Sequence, residues 1–73
     1  MTNFSNRLKS LRLSRDIKQK DISDAVGITL RAYQYYETAT KEPTMSKLAA
    51  LADYFGVSID YLVGRTDNPE INR

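Results

Sequence analysis

The 73 residues include no cysteine and no histidine. Without cysteine there is no disulfide framework and no cysteine-ligated metal site, and nothing calls for an oxidising compartment. No glycine-rich loop cradles a phosphate, and no pair of carboxylates falls where one cleft would gather it; Asp21 and Asp24 read as exposed helix residues. We therefore expect no enzyme, no catalytic residue, no metal, no cofactor and no small-molecule ligand. The N-terminus has no long apolar run of the secretory kind, and no stretch approaches the roughly 20 apolar residues of a membrane span. The expectation is a soluble, cytoplasmic protein with no membrane partner. Internal repeats and low-complexity runs are also missing.

What is present makes one domain. A chain this short buries only about 60% of the surface that its unfolded form exposes, so its core must be local. The net charge of +2 is small, but it is unevenly spread. Residues 1–41 hold eight Lys and Arg against four Asp and Glu, while residues 42–73 hold three against five. A basic first half favours a polyanionic partner.

Apolar spacing gives five helices and no strand, an all-α fold. Phe4, Leu8 and Leu11 follow i, i+4, i+7, which predicts helix 1 over about 3–14. Ile17 stands just before helix 2, expected over about 18–25, and can staple it to the core. Lys18 takes the place of a capping Ser or Thr there, and a cation opposes the helix dipole. Ile22, Ala25 and Val26 mark the apolar face, Gly27 makes a turn, and Thr29 caps helix 3, expected over about 30–37. Thr44 caps helix 4, in which Met45, Leu48, Leu51, Ala52 and Phe55 recur up to Gly56. Ser58 caps a short helix 5 with Ile59, Leu62 and Val63 facing inward, ended by Gly64. The expected core is Leu8, Leu11, Ile22, Val26, Tyr36, Leu48, Leu51, Phe55 and Leu62. The domain spans 1–64, and residues 65–73 form an exposed, mobile tail.

Residues 18–37 thus have the spacing of a helix-turn-helix. On a wheel of about 100° per residue with Leu30 at zero, Ala32, Tyr36 and Tyr33 fall at roughly 200°, 240° and 300°, and Gln34, Arg31 and Tyr35 at roughly 40°, 100° and 140°. The second set, with Leu30 at its leading end, can read bases in a major groove. Arg pairs with guanine, Gln pairs with adenine, and an apolar side chain meets the thymine methyl. On an isolated helix the same face would read as merely solvated; the tight Val-Gly-Ile turn ahead of it favours DNA.

The stretch Lys18–Glu37 resembles the DNA-binding segment of the Cro/repressor-like helix-turn-helix family, also called XRE, whose members are phage and bacterial transcriptional regulators. The likeness extends over about residues 4–64 through Tyr36-Glu37, Pro43 and Gly56-Val57-Ser58. It implies a compact five-helix, lambda-repressor-like domain that acts as a sequence-specific regulator of double-stranded DNA, expected to be a repressor. Leu30, Arg31, Gln34 and Tyr35 are the expected base readers. Lys18, Gln19, Thr29, Thr38, Thr40 and Lys41 are the expected phosphate contacts; Gln19 matches the family glutamine that bonds a backbone phosphate. The resemblance also implies a structural charge pair between Arg12 and Glu37, and a homodimer on a two-fold operator through a surface around Val57 to Val63.

Three positions depart from the family pattern. Ala39 stands where glycine is common, so a left-handed cap there is strained. Thr40-Lys41-Glu42 is a weakly basic loop. Tyr33 replaces a smaller aliphatic. A competing reading is a protein-interaction module, such as an antitoxin or adaptor, that uses the same helix 3 face; a salt-dependent affinity for random duplex separates the two. The sequence leaves open whether the chain stands alone or heads a longer protein.

Overall fold

The computed structural model describes residues 4–70, which form α1 (Phe4–Ser14), α2 (Gln19–Val26), α3 (Leu30–Glu37), α4 (Met45–Phe55) and α5 (Ile59–Leu62). No strand occurs among the described residues. The expectations that helix 1 starts at residue 3 and that the tail runs to 73 lie outside those residues.

Three helices start on a side-chain cap. Thr29 Oγ1 accepts from Ala32 N at 3.0 Å, Thr44 Oγ1 from Lys47 N at 3.4 Å and Ser58 Oγ from Tyr61 N at 3.0 Å. Each bond satisfies one of the amides that a helix start leaves without a partner. Lys18 precedes α2 with no side-chain cap, so α2 begins at Gln19 and ends at Val26, one residue later at each end than its sequence pattern predicts.

Every helix ends in the same backbone device. Asp16, Gly27, Ala39, Gly56 and Gly64 have positive φ, and the next residue's N–H reaches back to a carbonyl in the last turn. These bonds run from Ile17 N to Arg12 O, Ile28 N to Ser23 O, Thr40 N to Tyr35 O, Val57 N to Ala52 O and Arg65 N to Asp60 O, at 2.8–3.1 Å. This is the Schellman arrangement. It turns each helix sharply enough for short connections to pack five helices into 29 × 25 × 23 Å. Ala39 and Asp16 occupy it with a Cβ, Ala39 at φ 62°.

The core is Leu8, Leu11, Ile22, Tyr33, Tyr36, Leu51, Ala52, Phe55, Val57 and Leu62, with Phe4, Ile17, Val26, Ile28, Leu48 and Tyr61 packed around it. α2 packs on α3 and α4, and α1 on α3 and α5. Ser5 Oγ donates to Tyr36 O at 2.6 Å and so ties α1 to the end of α3 inside the core. Arg15 donates from Nη1 to Phe55 O at 2.7 Å, placing a cation on the carbonyl end of α4 where the helix dipole favours it.

Several positions differ from the sequence expectation. Ala25 is exposed, and α2 buries Ile22 and Ser23 instead. Ser23 tolerates burial because its hydroxyl donates to Lys20 O at 2.9 Å. Val26 and Leu48 are half-buried flanks of the core. Met45 is 73% exposed, since it lies at the edge of the α4 apolar arc and in its first turn. Ile59 is 37% exposed; α5 is a single turn whose inward position is Leu62, and the residue buried ahead of it is Val57. Tyr33, outside the expected core, is fully buried. The segment after Gly64 is largely exposed but folds back, with Ser58 N donating to Pro69 O at 3.0 Å and Arg7 paired with Asp67 at 3.2 Å.

Candidate nucleic-acid interface

The outer face of α3 is the one the wheel drew. Arg31 and Gln34 are exposed, Leu30 is 39% exposed and Tyr35 is half-buried. Arg31 makes no hydrogen bond or ion pair among the described residues, so its fork of donors is available. Lys41 Nζ lies 5.1 Å from the centre of the Tyr35 ring, close enough for a cation–π contact that holds the loop cation against the helix.

Behind that face lies the charge pair. Arg12 Nε donates to Glu37 Oε2 at 2.6 Å and its Nη2 to Oε1 at 3.1 Å, a two-pronged bond between α1 and the end of α3. The pair is shielded, with side-chain exposures of 15% for Arg12 and 4% for Glu37. Tyr33, one turn before Glu37, donates its hydroxyl to Oε2, and Gln19 Nε2 donates to Oε1 at 3.2 Å. Burial alone would raise the carboxyl pKa, but the bonds from Arg12, Tyr33 and Gln19 outweigh it and hold Glu37 below the ordinary glutamate value. The Tyr33 hydroxyl is pushed far above the usual tyrosine range, first by burial and then by its bond to a carboxylate.

Each remaining phosphate candidate has a definite place. Gln19 begins α2 beside the uncapped Lys18, and its Oε1 accepts from Gln34 Nε2 at 3.3 Å. Thr29 Oγ1 is an acceptor for Ala32 N, which leaves its own proton free to donate outward. Thr38 and Thr40 differ from that. Their hydroxyls lie 2.7 Å apart, and Thr38 is also within 3.1 Å of Gln34 O. The pair therefore presents a proton outward only when Thr38 donates to Thr40 in place of the carbonyl.

Sequence reasoning missed two members of this surface. Lys9 of α1 borders the same shallow depression as Arg12, Gln19, Gln34, Glu37 and Thr38. The signal was available, since Lys9 and Arg12 are i, i+3 on one helix. Tyr33 was placed on the inward face; its hydroxyl bond to Glu37 joins i and i+4 on one helix, a spacing that could have suggested it. Elsewhere Lys20 pairs with Asp24 at 3.0 Å and Arg65 with Asp60 at 3.7 Å, while Lys47 of α4 has no ion-pair partner among the described residues. Lys9, Lys18, Arg31 and Lys41 have no ion-pair partner among the described residues. No group of acidic or other ligating side chains able to hold a metal occurs among the described residues, and no described helix is long and apolar enough to cross a membrane.

A short first helix of the motif, a left-handed glycine and a second helix with an exposed polar face together define a helix-turn-helix domain. The helix-turn-helix family model matches residues 8–62, and the chain belongs to that family, in its Cro/repressor-like (XRE) form. It is 34% identical over 67 residues to YobD, an uncharacterized HTH-type transcriptional regulator of Bacillus subtilis, covering 92% of this chain and 60% of that protein. It is 31% identical over 64 residues to RstR, a cryptic phage CTXphi transcriptional repressor of Vibrio cholerae, covering 88% of this chain and 58% of that protein. The chain thus spans about three fifths of the curated relatives it matches. Among solved structures, the P22 c2 repressor in complex with synthetic operator 9T superposes with a TM-score of 0.84 at 26% identity, over 90% of this chain and 100% of that one. A transcriptional regulator from Listeria innocua gives 0.79 at 34% identity, over 84% and 57%.

Proposed function

We propose that this domain binds double-stranded operator DNA as the recognition part of a transcriptional repressor, with α3 in the major groove. The observation that carries the reading is the exposed Arg31, Gln34, Tyr35 and Leu30 face of α3, bordered by cations that no acidic side chain neutralises. Arg31 takes a guanine edge, Gln34 an adenine edge, and Leu30 and Tyr35 the apolar and polar rims of neighbouring pairs. Gln19, Thr29, Lys18 and Lys41 meet phosphates on either side; Thr38 and Thr40 share one such contact, and Lys9 adds another. Arg12 and Glu37 hold α1 against α3 and stay off the DNA. The relatives named as regulators and repressors, and the neighbour solved on its operator, support this reading over an antitoxin or adaptor.

The longest extent of the domain, 29 Å, is shorter than the roughly 34 Å turn that separates half-sites, so two copies are needed to read a two-fold site. Val57 and Leu62 are used up in the monomer core, which leaves Ile59, Val63 and their neighbours for a contact between copies. Selection of bound fragments from random duplex, followed by footprinting, tests both points. A two-fold consensus is expected, and a single unpaired half-site at saturation counts against the dimer. Three phosphate-facing lysines per half-site, Lys9, Lys18 and Lys41, give an expected slope of log affinity on log salt of about −3 per half-site. Binding that is absent, or insensitive to salt, would exclude the DNA reading.

A further inference from the structure

The Glu37 carboxylate reaches the base-reading face through a chain of side-chain amides whose polarity it dictates. A carboxylate only accepts hydrogen bonds. Gln19 must therefore turn its NH2 toward Glu37 Oε1, 3.2 Å away, and this points its own carbonyl oxygen at α3. That oxygen accepts from Gln34 Nε2 at 3.3 Å, so Gln34 in turn must turn its NH2 inward and its carbonyl oxygen outward. The exposed end of the chain is an amide of fixed sense. One of its Nε2 protons is committed, and the other proton and the oxygen remain for a base edge. Without the relay an exposed glutamine presents either edge; with it, the acceptor–donor order is set before DNA arrives.

How firmly the relay is anchored depends on how Glu37 is held. Arg12 spans both oxygens, and Oε2 also takes the hydroxyl of Tyr33, whose ring is fully buried one turn upstream on the same helix. Tyr33 thus fixes the carboxylate from α3 itself while Arg12 fixes it from α1, and Oε1 is left aimed at Gln19. An aliphatic residue at 33 would fill the core but leave Oε2 held by Arg12 alone, without the second anchor from α3. We propose that Tyr33 is a positioning residue for base recognition: through Glu37 and Gln19 it sets the orientation of the Gln34 amide and hence the preference for adenine at one base pair. The proposal rests on the reading of α3 as the base-reading helix.

The test uses the unaltered chain, Tyr33→Phe, Gln34→Ala, the Tyr33→Phe/Gln34→Ala double variant and Gln19→Met. Each is measured against the selected operator and against duplexes with all four pairs at the position whose preference Gln34→Ala abolishes. Circular dichroism confirms that each variant is folded at the assay temperature. Tyr33→Phe should reduce the preference at that one position by about three- to tenfold, a part of what a bidentate pair supplies. It should have no further effect in the Gln34→Ala background and should leave the salt slope unchanged. Gln19→Met, which cuts the relay on the surface of α2, should lose preference at the same position and also weaken all duplexes together. In the DNA-free protein, the Gln34 side-chain amide protons, distinct in NMR spectra, should move toward solvent-averaged values in both variants. Should Tyr33→Phe weaken all sequences equally, or leave the preference at that position intact, Tyr33 is only a core residue and the proposal is overturned, as it is if the Gln34 amide signals do not move. If the unaltered chain binds no duplex, the DNA reading itself is wrong; if it binds with a consensus while Tyr33→Phe changes nothing, only the relay is wrong.

Discussion

Ala39→Gly should stabilise the protein, and Gly27→Ala should destabilise it by a similar amount. Both residues follow a helix and adopt the left-handed conformation, at φ 62° and 75°. A Cβ in that conformation costs about 1–2 kcal/mol, from its crowding against the following carbonyl. Glycine carries an opposing cost, because the unfolded chain then has more conformations to lose, worth about 0.4–1 kcal/mol. The balance is about 0.8 kcal/mol in favour of glycine at either site. A Cβ built on Gly27 meets nothing within 4 Å, so Gly27→Ala isolates the backbone cost with no clash added. For a domain of this length the shift amounts to about 3–6 °C in Tm, upward for Ala39→Gly and downward for Gly27→Ala. Urea unfolding should show the midpoint moving in those directions at constant m. The same sign for the two substitutions, or a midpoint for Ala39→Gly at or below that of the unaltered protein, would refute the view that backbone strain is stored at Ala39.

Leu51 is fully buried at the centre of the α4 face, so Leu51→Ala should cost about 2–5 kcal/mol in urea titration, and a loss under about 0.5 kcal/mol would undo the α4 register. Glu37 has a folded pKa below its unfolded value, so the stability it contributes is complete above the ordinary glutamate pKa, about 4.3, and disappears as pH falls below it. NMR titration should find Glu37 protonating below the ordinary glutamate pKa; a midpoint at or above that value would contradict the network. Arg31→Ala should cost about 1–3 kcal/mol on operator and relax preference at one base pair. Lys41→Ala, by contrast, should weaken operator and scrambled duplex alike and lower the salt slope by about one per half-site. Equal weakening of both DNAs by Arg31→Ala would make Arg31 a phosphate contact and pass sequence reading to Leu30, Gln34 and Tyr35.

Local chemistry was enough to read the five helices, their Thr29, Thr44 and Ser58 caps, the Gly27 turn and the outward face of α3. Each of these depends on residues within a turn or two of one another: a hydroxyl three residues from the amide it accepts from, an apolar side chain every third or fourth position, a glycine where φ turns positive. Even the strain at Ala39 was legible, since a family glycine is missing from a helix end. Tertiary packing decided the rest. Whether Ala25, Met45 and Ile59 lie inside or outside depends on which helix covers them, and periodicity fixes a face without saying what stands opposite. The turn of Gln19 toward the Glu37 carboxylate and the gathering of Lys9 with Gln34 and Thr38 join residues of α1, α2 and α3 that lie far apart in the chain. The sequence could supply the donors and acceptors of that network. Only the crossing of three helices at one carboxylate could decide which donor meets which acceptor, and so which way the Gln34 amide faces.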